Sequence, residues 1–316
     1  MRLFEHRDFE QAILAAEEHF KDRGLKATVI EKDYYVTEAL RIVAGAAGDK
    51  VIFKGGTSLS KGWNLIQRFS EDVDIFYEPS ERAKRVIDRE VKALSGLVGE
   101  HPALTHMKEE SKTSGGFGRS DRFSYMQHFG GVAAISNRVL LEIGAASGKE
   151  PVQKMQLRSY IVEFLNDTGA SLGAEDEPPF EMSLLHFRRT FVEKLFAIHD
   201  KVELFKREGR PIGSYARHYY DLSQLAKTKE VADMLSSNEY TEIKADYDKI
   251  SREYFGKYYN PPEGLIFATS EAIFLPRELS RTLSAQYEEQ CGLLCYGAYS
   301  KWDEVLAAFE TFKDKL

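Results

Sequence analysis

The chain has 316 residues, 43% hydrophobic and 29% charged, with a formal net charge of −7 at pH 7. This predicts a globular protein of one large or two medium domains. The negative balance argues against a broad nucleic-acid coat and leaves room only for a local basic groove. With no apolar run long enough to span a bilayer and no apolar core in Met1-Arg2-Leu3-Phe4-Glu5-His6-Arg7-Asp8, neither a membrane partner nor export is expected, and the cytoplasm is the expected location.

Residues 8 to 47 read as two helices. Phe9, Ile13, Ala16 and Phe20 share a stripe in the first, which Gly24 stops. In the second, Tyr34, Leu40 and Val43 form the buried set. Glu31, Lys32 and Asp33 are expected to open it, with the acids at the positive end of the helix dipole.

Val51-Ile52-Phe53 reads as a buried strand that runs into Lys54-Gly55-Gly56-Thr57-Ser58-Leu59, after which Leu59, Trp63 and Ile66 recur at helical spacing. Glycines just before a helix let the backbone come close to an anion. Arg68-Phe69-Ser70-Glu71-Asp72-Val73-Asp74-Ile75 follows, and Val73 to Tyr77 reads as a second strand. Asp72 and Asp74 are two apart, so on a strand they point to one face. Carboxylates so placed repel unless a cation sits between them, and oxygen-only ligands suit Mg²⁺. These features suggest a nucleoside triphosphate held between the turn at Gly55, Gly56, Thr57 and Ser58 and a metal-binding pair, Asp72 and Asp74. A P-loop is excluded because Lys61 precedes Gly62, and the Rossmann glycine fingerprint is absent. The competing reading is a plain strand-to-helix turn with solvated aspartates.

Residues 80 to 98 form a basic amphipathic helix in which Arg82, Lys84, Arg85, Arg89 and Lys92 surround Val86, Ile87, Val91 and Leu94. This is either a solvated face or a contact for RNA phosphates. Residues 111 to 124 are polar and glycine-rich, a loop or hairpin rim from which Arg119 and Arg122 can reach a substrate. Arg138 to Gly144 reads as a strand with Glu142 among apolar residues. A buried acid there needs a cation or a donor, unless the strand lies at an edge and Glu142 faces water.

Residues 166 to 180, with Pro178-Pro179, read as a linker. Beyond it Leu184, Phe187, Phe191, Leu195, Ile198, Val202 and Phe205 mark one long amphipathic helix, ended by Gly209 and Pro211. Lys194 borders its apolar seam, where a lysine ordinarily snorkels. Asp221 lies beside Leu222 and Leu225 on the next helix, with Arg217 four residues earlier as its simplest ion-pair partner. Cys291 and Cys295, the only cysteines, read as core thiols; residues 230 to 316 look mostly helical and carry no assignable chemistry.

Lys54 to Ile75 resembles the nucleotidyltransferase toxins of the AbiEii/AbiGii type, a branch of the DNA polymerase β-like nucleotidyltransferase superfamily. Glu31-Lys32-Asp33-Tyr34-Tyr35-Val36, Glu193-Lys194-Leu195-Phe196-Ala197 and Arg217-His218-Tyr219-Tyr220-Asp221-Leu222 extend the resemblance across roughly residues 30 to 225. The resemblance implies an α/β + α architecture: a nucleotidyltransferase-fold mixed sheet with helices (1–165), then a mainly helical domain (166–316), with the active site in the cleft between them. It implies Mg²⁺-dependent transfer of NMP from an NTP, with two divalent cations on Asp72, Asp74 and a third carboxylate, Glu142. Gly55, Gly56, Thr57, Ser58, Arg68 and Ser70 would bind the nucleotide, Arg68 pairing with a phosphate or, in the empty site, with Asp72. Lys194 would neutralise phosphate charge and Asp221 would orient Lys194 or a substrate hydroxyl.

By the same resemblance the acceptor is RNA, most plausibly the 3′ end of tRNA, and the protein is the toxin of a toxin–antitoxin or abortive-infection module with its antitoxin encoded next to it. Phosphorylation of Ser70 would crowd the site with negative charge and switch it off. A small-molecule (antibiotic-type) nucleotidyltransferase and a non-catalytic binding protein on the same scaffold are the alternatives.

Overall fold

The apolar runs seen in the sequence assemble into one mixed sheet. The computed structural model describes residues 1–70, 72–81, 83–130, 135–256 and 259–316, so Arg82 of the basic helix lies outside the described residues. The strands are β1 (Val51–Lys54), β2 (Asp72–Tyr77), β3 (Thr105–His106), β4 (Lys112–Ser114), β5 (Gly118–Ser124), β6 (Arg138–Gly144), β7 (Val152–Leu157) and β8 (Phe180–Leu185). Their order is β3-β5-β6-β2-β1-β8-β7, with β4 paired to β5 as a hairpin. β1 runs antiparallel to β2 and parallel to β8, and β2 runs parallel to β6. The sheet belongs to one compact unit, Met1–Trp63, Phe69–Ala145 and Val152–Leu185.

The same unit holds the helices α1 (Phe9–His19), α2 (Ala27–Ala47), α3 (Gly55–Lys61), α4 (Lys84–Val98) and α5 (Tyr160–Thr168). Ser95 of α4 donates its hydroxyl to Asp121 of β5 at 2.5 Å. That contact fixes which side of the sheet α4 covers, because strand side chains alternate. Val73, Ile75, Leu141, Ile143 and Phe123 share the covered side and are buried. Asp72, Asp74, Glu142 and Ser120 point to the opposite side.

Helix α2 starts one turn earlier than its charges suggest. Lys26 caps it, and Glu31, Lys32 and Asp33 lie in its interior, buried instead of forming its first turn. Each has a partner, as buried charge requires. Glu31 accepts from the backbone N–H groups of His128 and Phe129 at 2.7 and 3.1 Å. The Lys32 ammonium lies 5.0 Å over the Phe69 ring. Asp33 accepts from Lys61 Nζ at 2.7 Å and from the Tyr160 N–H at 2.8 Å.

Two further expectations change. Helix α3 stops at Lys61, so Trp63 and Ile66 are not helical; the Trp63 indole instead donates to the Leu185 carbonyl at 3.1 Å. The stretch read as a linker is not one throughout. It begins in α5, capped by Gly169 in the left-handed conformation (φ 69°), and its last residue opens β8. Leu184 is therefore a strand residue, and the long helix begins at Phe187.

The second compact unit comprises Asn64–Arg68, Ala146–Pro151 and His186–Leu316. It is built on α6 (Phe187–Glu208), whose apolar stripe packs with α7 (Arg217–Leu225) and α9 (Asn238–Phe255); α8 (Lys229–Leu235), α10 (Arg277–Leu294) and α11 (Trp302–Glu310) complete it. Gly209 ends α6 with φ 70°. Leu195, Ile198, Tyr219, Leu222, Phe267 and Tyr287 are core residues, as is Cys291, while Cys295 is half-buried.

The buried Asp33–Lys61 pair yields a stability test. Asp33→Ala leaves a buried lysine head group without a carboxylate, facing the Arg158 carbonyl at 2.9 Å and the Tyr160 ring at 5.6 Å, and the expected loss is about 3 kcal/mol. Adding Lys61→Met should restore most of it, because an apolar side chain of similar length needs no partner. Urea unfolding followed by circular dichroism measures both.

Candidate active site

The register of the first unit sets the carboxylates side by side. Asp74 of β2 pairs with Glu142 of β6, Glu142 with Ser120 of β5, and Asp74 on its other side with Lys54 of β1. Lys54, Asp74, Glu142 and Ser120 therefore form one row across four strands on one face. Asp72 is two residues from Asp74 on that face, opposite Leu140. Glu142 lies on an interior strand, which removes the edge-strand alternative, and accepts from the Ser120 hydroxyl at 2.7 Å.

Gly55 has φ +75° and its Cα lies directly against the Asp74 carboxylate, so a Cβ there would overlap it. The glycine meets two demands at once, left-handed backbone and close approach. The Thr57 hydroxyl donates to the Asp72 carbonyl and the Ser58 hydroxyl to the Gly55 carbonyl at 2.9 Å. The first braces the turn against β2 and the second ties the turn internally, and Ser58 and Gly56 are buried. Ser70, on the segment leading into β2, is only 8% exposed, so a phosphoryl group there would require that segment to open.

Among the described residues, no three His, Cys, Asp or Glu side chains converge as a ready metal cage. What the backbone provides is one face bearing Asp72 and Asp74 with Glu142 in register beside them. Hard oxygen donors of this kind fit a divalent cation such as Mg²⁺. Asp72 and Asp74 would hold it, with Glu142 fixed by Ser120 as the neighbouring donor.

The second unit holds a buried charge cluster. Arg68 Nε and Nη2 donate to the two carboxylate oxygens of Asp221 at 2.7 and 2.8 Å. Lys194 Nζ lies 2.7 Å from Asp221 Oδ2 and 3.0 Å from His218 Nδ1, and that nitrogen lies 3.2 Å from Asp221 Oδ2. Asp221 thus pairs with Arg68 and Lys194, and Arg68 reaches it from Asn64–Arg68, a segment of the second unit. Gln67 is tied there too: its N–H donates to the Tyr220 hydroxyl at 3.0 Å, and its carbonyl accepts from the Tyr296 N–H at 3.1 Å. Arg68 forms a backbone bridge with Cys295.

Burial would raise the Asp221 carboxyl, but Arg68 and then Lys194 hold it well below the usual range. Burial lowers the Lys194 ammonium, with Arg68 and Arg217 adding to the shift and Asp221 opposing it. Burial, with Lys194 next, pushes His218 down to about 3. Arg68 and Lys194 both face the Asp221 carboxylate, and in such dry surroundings a cation's attraction for a phosphate oxygen is strengthened.

Other predicted contacts lie elsewhere. Arg119 pairs with the buried Asp121, on the sheet side that α4 covers, so it does not share the carboxylate face. Arg122 is on that face but pairs with Glu110 at 3.6 Å. The sequence reading missed Lys54, Ser120 and His218. His218 had a signal: it stands three residues before Asp221, one helical turn on the same face.

The mixed sheet with its paired carboxylates, together with the separate lysine–aspartate cluster, describes a nucleotidyltransferase. The family model for the nucleotidyl transferase AbiEii toxin of Type IV toxin–antitoxin systems matches residues 38–308, and the chain belongs to that family. Among solved structures it is similar in fold to MenT4, a nucleotidyltransferase toxin from Mycobacterium tuberculosis. The identity is 16% and the TM-score 0.57, over 96% of this chain and 90% of that one. No curated protein matches in sequence. Among the described residues no helix is long and apolar enough to cross a membrane.

Gly55 gives a test of the turn. Gly55→Ala should destabilise by about 1–2 kcal/mol from backbone strain alone and displace the Asp74 carboxylate as well. Gly45, inside α2 with nothing within 4 Å of a built Cβ, is the control: Gly45→Ala should be neutral or stabilising by up to about 1 kcal/mol. Denaturation curves of the two variants check the contrast.

Proposed function

We propose that the protein transfers a nucleoside monophosphate from an NTP to an RNA acceptor, the 3′ end of tRNA foremost, and so acts as a toxin that blocks translation. The observation that carries the reading is the register of Asp72, Asp74 and Glu142 on one face of adjacent strands. Two Mg²⁺ ions, when bound, would clamp the attacking and leaving oxygens of the displacement. Asp72 and Asp74 hold them, and Ser120 keeps the Glu142 carboxylate turned for the same task. Gly55 and Gly56 keep the turn close to the carboxylates, and Thr57 and Ser58 brace it. Lys194 neutralises phosphate charge, and Asp221 orients it while Arg68 balances Asp221.

An RNA acceptor, unlike a small molecule, is long enough to reach past the carboxylate face, and the exposed face of α4, on the other side of the sheet, is where it would be gripped. Arg85, Arg89 and Lys92 recur there at spacings of four and three, exposed and, among the described residues, without an ion-pair partner within 4 Å. In a chain of net charge −7, such a stripe suits a phosphate backbone. The family implies a cognate antitoxin, and we infer that it is encoded next to this chain and that the pair acts in the cytoplasm.

Purified protein incubated with total tRNA, Mg²⁺ and each labelled NTP in turn should label RNA with at least one nucleotide. Asp72→Ala and Asp74→Ala should each lower labelling by about a thousandfold or more, and chelation of divalent ions should abolish it. Activity within tenfold of wild type in both variants would overturn the carboxylate assignment. Lys194→Arg keeps the charge but not the point geometry, so it should fall between wild type and Lys194→Ala.

Acceptor affinity should fall with salt, and each of Arg85→Ala, Arg89→Ala and Lys92→Ala should reduce the log–log slope by about 0.7. A salt-independent acceptor affinity would favour a small-molecule acceptor.

A further inference from the structure

We propose that His218 is a positioning residue that fixes the direction of the Lys194 ammonium; this rests on the reading of Lys194 as the phosphate-neutralising group. Lys194 Nζ, His218 Nδ1 and Asp221 Oδ2 form a closed triangle with sides of 2.7, 3.0 and 3.2 Å. His218 is uncharged near neutral pH, since burial pushes it down to about 3. Its Nδ1 faces both the ammonium at 3.0 Å and the Asp221 carboxylate at 3.2 Å; we assign the lone pair to Nδ1, accepting from the nearer Lys194, and the proton to Nε2, so that the contact with Asp221 is not itself a hydrogen bond. An ammonium has three N–H groups. One goes to Asp221 and one to His218, so tetrahedral geometry fixes the third, the only one left for a phosphate oxygen.

Asp221 alone would not achieve this. With a single anchor the ammonium turns freely about its Cε–Nζ bond, and both remaining donors wander. Asp221 is also committed to Arg68 through both oxygens. A neutral second anchor suits the task, because another carboxylate would offset the ammonium's own charge toward phosphate. A neutral imidazole accepts without adding charge. Among the described residues, the charged and titratable groups around the triangle include Arg68, from the segment preceding β2, Tyr215, whose ring centroid lies 5.4 Å from that of His218, Arg217 and Tyr220 of α7, and Cys291 and Cys295 of α10 and its cap. Among these neighbours His218 is the one that meets Lys194 as a neutral acceptor.

A role in packing alone predicts that any side chain filling the space will serve. His218→Leu fills it without an acceptor, and His218→Asn keeps an acceptor at the δ position. His218→Gln folds as a polar residue but moves the acceptor one atom further, and is the second probe if the leucine variant fails to fold.

His218→Leu should lower kcat by about ten- to a hundredfold, with KM for the NTP changed by less than about threefold. Losing an acceptor disfavours the ammonium, so the alkaline limb of the pH–rate profile should move to lower pH in His218→Leu. His218→Asn should recover most of the rate and return the limb to its wild-type position, whereas His218→Gln should remain impaired. Equal rates and equal alkaline limbs in the leucine and asparagine variants, or equal rates in asparagine and glutamine, would overturn the proposal. Lys194→Ala at near wild-type activity would instead overturn the role of the lysine beneath it.

Discussion

Two like charges on one face of a short strand are the constraint that organises the first unit. Asp72 and Asp74 cannot avoid each other, because strand periodicity points them the same way. β2 is held on both sides, antiparallel to β1 and parallel to β6, so it cannot slip by one residue to relieve the repulsion. Such a slip would turn the buried Val73 and Ile75 to the carboxylate face. The turn at Gly55 closes over Asp74 without a side chain, and the Thr57 hydroxyl ties it to the backbone of Asp72. The apolar core on one side of the sheet thus keeps a strained polar arrangement on the other, as expected where a cation is to be bound.

The second unit applies the opposite sign to the same principle. Arg68 and Lys194 share one carboxylate, and each is almost fully buried. Removing Asp221 would strip two buried cations of the carboxylate they share, which makes the residue structural. As a carboxyl held below its usual value, Asp221 contributes stability that is present above about pH 4 and is lost as pH falls through its depressed value. Lys194 works the other way. Its lowered value means the unfolded chain binds more protons below about pH 10, so its contribution improves as pH rises toward that point.

The parts of this arrangement that the sequence revealed are those with strong local patterns. Val51 to Lys54, Asp72 to Tyr77 and Arg138 to Gly144 are visible as apolar runs, and the glycine turn by its composition. β7 is a mostly exposed edge strand, and Gln153, Lys154 and Gln156 give no apolar face to detect. β8 follows Pro178-Pro179, and its Leu184-Leu185 end merges with the periodicity of α6. The charges of α2 read as its first turn because burial of three consecutive charged residues inside a helix is rare. Only their distant partners, Lys61, Tyr160, His128 and Phe129, make it possible. Ser120 and His218 were missed for the same reason: each acts through a partner on another element or turn, and polarity alone does not mark that.

The stretch Arg68-Phe69-Ser70-Glu71-Asp72-Val73-Asp74 serves both units. Arg68 belongs to the helical unit, whereas Asp72 and Asp74 belong to the sheet. Three residues separate Arg68 from Asp72, so any insertion between them would act on two cores at once. It would move the guanidinium off Asp221 or the carboxylates out of register with Glu142. A tight spacing between an arginine and two aspartates therefore has a physical cause here. The chain leaves the first unit after Trp63, ties Gln67 and Arg68 into the second, and returns at Phe69 in time to begin β2 on the register that pairs Asp74 with Glu142.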